Sequence, residues 1–158
     1  MRVDAASEAA VDLPAVAQSF VHHNGTVHKV YCFGDSVFTA EKRSLPAAPA
    51  DAAGIASGAV SFDALHALPF SWPGSTHTRP DPTDAAVPPL DMTSVRAMAA
   101  WLRTATGLTL FGFDVLVDAA SGAHLVVDLN YFPSATGVPG AAEALAQTVR
   151  DAAAGKRV

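Results

Sequence analysis

Three side chains in the last third of the chain, Asp114 in "FGFDVLVD" and Asp128 and Asn130 in "HLVVDLNYFP", have the types and the spacing to hold a divalent cation. Side chains alternate along a strand, so Asp128 and Asn130 share one face, about 7 Å apart, while Leu125, Val127 and Leu129 take the other. A turn centred on Ser121 puts Asp114 directly across from Asp128. Like charges facing each other across strands repel and call for compensation. Magnesium suits such a patch: it takes oxygen ligands, keeps several waters and commonly binds through one or two carboxylates plus substrate phosphates. The pattern alone also leaves a plainer arrangement open, in which Asp128 caps a turn, Asn130 bonds backbone and Asp114 faces solvent.

Holding these residues requires a hairpin, and residues 108–132 read as one, two strands around Ser121-Gly122. Before it, "LDMTSVRAMAAWLRTATGL" places Val95, Met98, Ala99 and Leu102 on one face of a helix over about 92–106, with Asp91 or Thr93 to cap it and Gly107 to end it. Pro139-Gly140 leads into a final helix over about 141–154. Residues 15–44 are rich in Val, Phe, Tyr and Thr with turn signals at Asn24-Gly25 and Gly34-Asp35, which predicts a three-strand meander whose first turn is a tight hairpin. Residues 45–89 shift to Ala, Pro, Gly and Ser and read as a long loop, with one short possible strand in "AVSFDALHALPF". The fold class is therefore α+β, an antiparallel sheet packed with two helices in one domain.

Half of the 158 residues are hydrophobic and 16% are charged, enough apolar material for one core. A net charge of −5 with no basic run excludes the electrostatic footprint of a nucleic-acid binder. One cysteine, Cys32, permits no disulfide within the chain, no apolar segment is long enough to span a bilayer, and the start lacks an export signal. An intracellular, cytoplasmic protein with no membrane partner is the expectation. His22, His23 and His28 flank the first turn, but adjacent His22 and His23 point to opposite faces, so they are read as structural, as are Trp101 and Cys32.

The ordered blocks "QSFVHHNGTVHKVYCFGDSVFTAEKRSL", "GLTLFGFDVLVD" and "HLVVDLNYFPSATGVPG" resemble the carboxyl-terminal half of the inositol 1,3,4-trisphosphate 5/6-kinase family, also called inositol-tetrakisphosphate 1-kinases, which have the ATP-grasp fold. The likeness covers most of the chain and fades over residues 45–89 and the first dozen. It implies the carboxyl-terminal lobe of an ATP-grasp domain and ATP-dependent phosphorylation of an inositol polyphosphate with two Mg2+ ions. By the same resemblance Asp114, Asp128 and Asn130 are the metal ligands, with Asp128 bridging both ions, and Gln18, Ser19, Phe20, Val21, Lys29 and Ser44 line the ATP site. Lys29, Asn130 and Ser134 face the inositol phosphate, and Lys29 and Asp128 carry the catalysis.

The chain departs from that family pattern in three places. Ser134 stands where the family commonly has Gly, and Ala64 where a nucleotide-contacting Ser is frequent. Nothing before Gln18 corresponds to the family's amino-terminal portion, so a fragment is expected, with that missing half as a partner. No G-x-x-x-x-G-K-[ST] stretch occurs, which leaves magnesium and lysine to neutralise phosphate. Two other readings stand beside the kinase: an ATP-grasp carboxylate-amine ligase using the same metal ligands, and a non-catalytic nucleotide-binding or interaction fragment.

Overall fold

Hydrophobic side chains at every position of "VYCF" let a single strand bury both of its faces, and that strand becomes one of the two central strands of the sheet. The computed structural model describes Pro14, Val16, residues 18–44 and residues 89–156. The expected loop, its short strand and Ala64 lie outside the described residues, save for Pro89. Strands β1 (Thr26–Phe33), β2 (Ser36–Arg43), β3 (Leu110–Val117) and β4 (His124–Tyr131) form one antiparallel sheet in the order β2-β1-β3-β4. With the helices below, this is the α+β class the sequence predicts.

The meander expected over 15–44 has two strands here, not three. Asn24 and Gly25 do adopt the left-handed conformations of a tight turn, at φ 48° and 69°, and the Thr26 amide donates to the His23 carbonyl. No strand precedes that turn among the described residues, because both edges of β1 are filled, one by β2 and the other by β3. The incoming chain instead crosses to the far hairpin, where the His22 carbonyl accepts from the Ala119 amide.

Helix α1 (Met92–Thr106) is capped as its sequence suggests: the Asp91 carboxylate accepts from the amides of Thr93 and Ser94, and Gly107 closes the end at φ 70°. Val95, Ala99 and Leu102 bury against Val30, Cys32, Phe111, Phe113 and Val115, with Met98 at the margin. Trp101 does not pack as expected and is 68% exposed. It falls one step beyond Met98 around the helix, outside the narrow stripe that meets the sheet. Arg103 ties the last turn of α1 to the β1–β2 turn by donating to the Asp35 carboxylate and the Gly34 carbonyl.

Helix α2 (Ala141–Ala153) covers the opposite face, where Ala141, Ala144 and Leu145 meet Tyr31, Phe33, Phe38 and Leu110. Cys32 is fully buried, and burial pushes its thiol up to about 11, which suits a packing role rather than a reactive one. Among the described residues no helix is long and apolar enough to cross a membrane.

The Asp91 cap gives the fold a pH signature. Its hydrogen bonds to Ser94 and Thr93 hold the carboxyl at about 2, below the ordinary 3.8. A folded-state pKa that lies lower than the unfolded one stabilises fully above 3.8 and loses that contribution as pH falls toward 2. Asp91→Ala should therefore lower the urea midpoint near neutrality and show a shallower acid decline than the parent. Parallel declines in the two proteins would contradict this account of the cap.

Candidate functional site

Lys29, Asp114 and Asp128 occupy one lateral row of the sheet. Lys29 is the cross-strand partner of Asp114, and Asp114 is the partner of Asp128. The next row runs Tyr31, Gly112, Asn130. Partners across antiparallel strands project to the same side, so all these side chains lie on the α2 face.

The pairing of Asp114 with Asp128 is the one expected, but the hairpin reaches it by a different route. Next to the turn, Val117 pairs with His124 and Val115 with Val126, a register centred between Ala120 and Ser121. A regular continuation would set Val127 against Asp114 and turn Asp128 to the α1 side. A bulge at Val127 leaves that residue without a register partner and restores Asp128 to Asp114. The bulge also corrects the expected faces: Leu125, opposite Leu116, lies on the Asp128 side, and Val126 replaces it on the other with Leu129.

The electrostatics of the row are explicit. The Lys29 ammonium donates to both Asp114 oxygens, at 3.1 and 3.0 Å, with the two side chains 31% and 19% exposed. The Asn130 amide donates to Asp128 at 2.5 Å. Beside these lies an open depression of about 390 Å³, lined by Lys29, Tyr31, Gly112, Asp114, Asn130 and Ser134 among others. That volume is within the usual range of small-molecule sites. Asp128 stands at its margin, bonded to Asn130.

One wall of the depression depends on a glycine. After β4, Phe132 takes φ 52°, an unfavourable conformation for a bulky residue, and the chain folds back over the sheet. Pro133 then rests on Gly112, where an added Cβ would stand 2.9 Å from the Pro133 ring and 2.9 Å from the Val30 carbonyl. Gly112→Ala should cost about 1 to 3 kcal/mol by overpacking and displace the 132–134 crossing. Chemical denaturation checks the first effect, and amide shifts at Phe132 and Ser134 the second; a neutral substitution would mean that the crossing adapts.

Some predicted residues gather here and others do not. Asp114, Asn130, Lys29 and Ser134 line the depression, and Asp128 joins them through its pairing with Asp114 and its bond from Asn130, while the Ser134 hydroxyl lies 3.0 Å from that of Thr136. Gln18, Ser19, Phe20, Val21 and Ser44 do not line the depression. Ser44, Phe20 and Val21 lie instead by the turn that leads into β1: the Ser44 amide donates to the Gly25 carbonyl, Phe20 packs edge-on against the His22 ring, and the Val21 carbonyl is bonded to the His23 ring. His23 and His28 are buried, the former bonded to the Val21 carbonyl and the latter 3.9 Å from Glu41. Burial lowers the His28 pKa, so its ring is neutral near pH 7. Tyr31, Gly112 and Pro133 were not anticipated as site residues; a Gly one residue from Phe113 inside an apolar strand was the available signal.

The donors fit a hard divalent cation. Among the described residues no three side chains of His, Cys, Asp or Glu gather into a metal-ligating group. A cation here would therefore take two carboxylates and one amide oxygen, all oxygen donors, and complete its shell with water or phosphate, which is the habit of magnesium.

Comparison with known proteins settles the relationship. Residues 3–151 match the family described as the inositol 1,3,4-trisphosphate 5/6-kinase ATP-grasp domain. The chain belongs to that family. Inositol-tetrakisphosphate 1-kinase 6 of Oryza sativa subsp. indica is 35% identical over 138 residues, covering 87% of this chain and 25% of its own length. Inositol-tetrakisphosphate 1-kinase 1 of Zea mays is 38% identical over 129 residues, 80% of this chain and 37% of its own. The Danio rerio inositol-tetrakisphosphate 1-kinase is 29% identical over 129 residues. This ATP-grasp chain thus spans between a quarter and two-fifths of the length of the curated relatives it matches.

Proposed function

We propose that this chain supplies the metal-and-phosphate half of an ATP-dependent inositol polyphosphate kinase. The observation that carries the reading is that Lys29, Asp114 and Asn130 line an open depression, with Asp128 the cross-strand partner of Asp114, in a chain of this family. Transfer of the γ-phosphoryl group forms a bond from phosphorus to an inositol hydroxyl oxygen, breaks the bridge to ADP and releases the hydroxyl proton to solvent. Catalysis of such a step is mostly positioning and neutralisation of charge.

Each residue has a part in that task. Asp114, Asp128 and Asn130 would hold Mg2+, which when bound supplies positive charge to the β and γ phosphates. Lys29, on a flexible stem with three donors, neutralises charge gathering on the transferred oxygens. Ser134, exposed at the end of the crossing, offers a hydroxyl to substrate phosphate where a glycine would offer only backbone. Gln18 to Val21 and Ser44 contact nucleotide at the other end of β1, and the setting is intracellular.

The test is transfer, by this chain combined with the remaining portion of such a kinase, from ATP labelled at the γ position to inositol tetrakisphosphate in the presence of Mg2+, with the products separated by anion exchange. Label in inositol pentakisphosphate with release of ADP is the expected result. ATP consumed only when a carboxylate and an amine are both supplied would replace the kinase with a ligase.

A further inference from the structure

We infer that Lys29 is an internal counter-cation that competes with a divalent cation for Asp114, so that cation and phosphate bind this face cooperatively. The inference rests on the reading of the face as a cation and phosphate site, and concerns how its two ligands are coupled.

Two carboxylates face each other across β3 and β4, and their compensation is unequal. Asp114 accepts from the Lys29 ammonium through both oxygens, whereas Asp128 has a neutral partner, the Asn130 amide. Among the described residues, Lys29 is the one cation that lines the depression. It sits two-thirds covered beside a carboxylate that is four-fifths covered, so solvent screens the pair less than an exposed one. A dication placed on Asp114 would share the carboxylate with an ammonium a few ångströms away, and the two positive charges would oppose each other.

Phosphate changes that balance. It offers the Lys29 ammonium an anionic partner within reach of a side chain that already borders the depression. With Lys29 drawn to phosphate, both Asp114 oxygens become available to the cation. By linkage the effect is reciprocal: whatever factor the anion adds to cation affinity, the cation adds to anion affinity. The same ion pair keeps the two carboxylates compatible with a folded sheet when neither ligand is bound.

The experiment titrates Mn2+ alone into the chain, reading free Mn2+ by electron paramagnetic resonance, for the parent, Lys29→Met and Lys29→Arg. Lys29→Met is expected to bind Mn2+ about tenfold more tightly than the parent, and Lys29→Arg, which keeps the charge, to stay close to it. Parent and Lys29→Met binding with equal affinity would overturn the inference and leave the site assignment standing. No Mn2+ retained by any of the three would overturn both. A second measurement needs no variant: the ammonium resonance of Lys29 in the parent should move as Mg2+ is added. An unmoved ammonium resonance, with the amides of Asp128 and Asn130 responding, would overturn the competition.

Discussion

Asp128→Ala in the complete kinase is expected, under the proposed function, to lower divalent-cation-dependent phosphoryl transfer by a factor of about 10² to 10³ or more, while leaving the thermal midpoint close to that of the parent. A group that places charge at the reacting phosphate is worth several kcal/mol in the transition state, and its loss appears in rate. Its loss should hardly appear in stability, because Asp128 is exposed on an edge strand and, among the described residues, its one side-chain bond goes to the equally exposed Asn130. Parallel rate and melting measurements check both halves. Parent-like turnover would remove Asp128 from the ligand set, and a collapse of the fold would give it a structural role instead.

The opposite division is expected one residue from the other carboxylate. Phe113 is 1% exposed, stacked near Phe111 and packed in the cluster that α1 closes, while its neighbour Asp114 points to the other face. Phe113→Ala should cost about 3 to 5 kcal/mol, the transfer term plus the cavity left between sheet and helix. A domain of ordinary stability has about 5 to 15 kcal/mol in all, so this one change would remove a large share. Urea unfolding measures it directly. A loss below about 1 kcal/mol would mean that α1 collapses into the space and that the core beneath the site is softer than its burial suggests.

How much of this the sequence discloses depends on the range of the interactions. Helix α1 was legible because its signals are local: an Asp that bonds amides two and three residues on, a stripe at Val95, Ala99 and Leu102, and a glycine ready for the left-handed end. The facing of Asp114 and Asp128 matches the expectation only because a bulge offsets a turn centred half a residue earlier than Ser121, so the turn alone does not account for it. The bulge at Val127 was not legible, because Val126 and Val127 are chemically alike and alternation gives no sign of which one drops out of the ladder. Nor was the Lys29 to Asp114 contact. It joins residues 85 apart in the chain through the pairing of β1 with β3, which only the assembled sheet defines. The missing first strand has the same origin: Asn24-Gly25 carries the turn chemistry of a hairpin, yet β1 has no edge left to receive one. Trp101 shows the limit of spacing arguments, being three residues from Met98 and still beyond the buried stripe.

In the proposed function, one face of the sheet, at Asp114, Asp128 and Asn130, would receive a divalent cation. The most direct test is to add substoichiometric Mn2+ to the isotopically labelled chain and follow the loss of amide signals by paramagnetic relaxation. Signals over residues 112–115 and 128–131 should vanish first, with Lys29 among them, while those of the half-buried carboxylates Asp118 and Asp151 persist. Loss centred on Asp118, Asp151 or the histidines at 22 and 23, with the β3 and β4 signals intact, would contradict it.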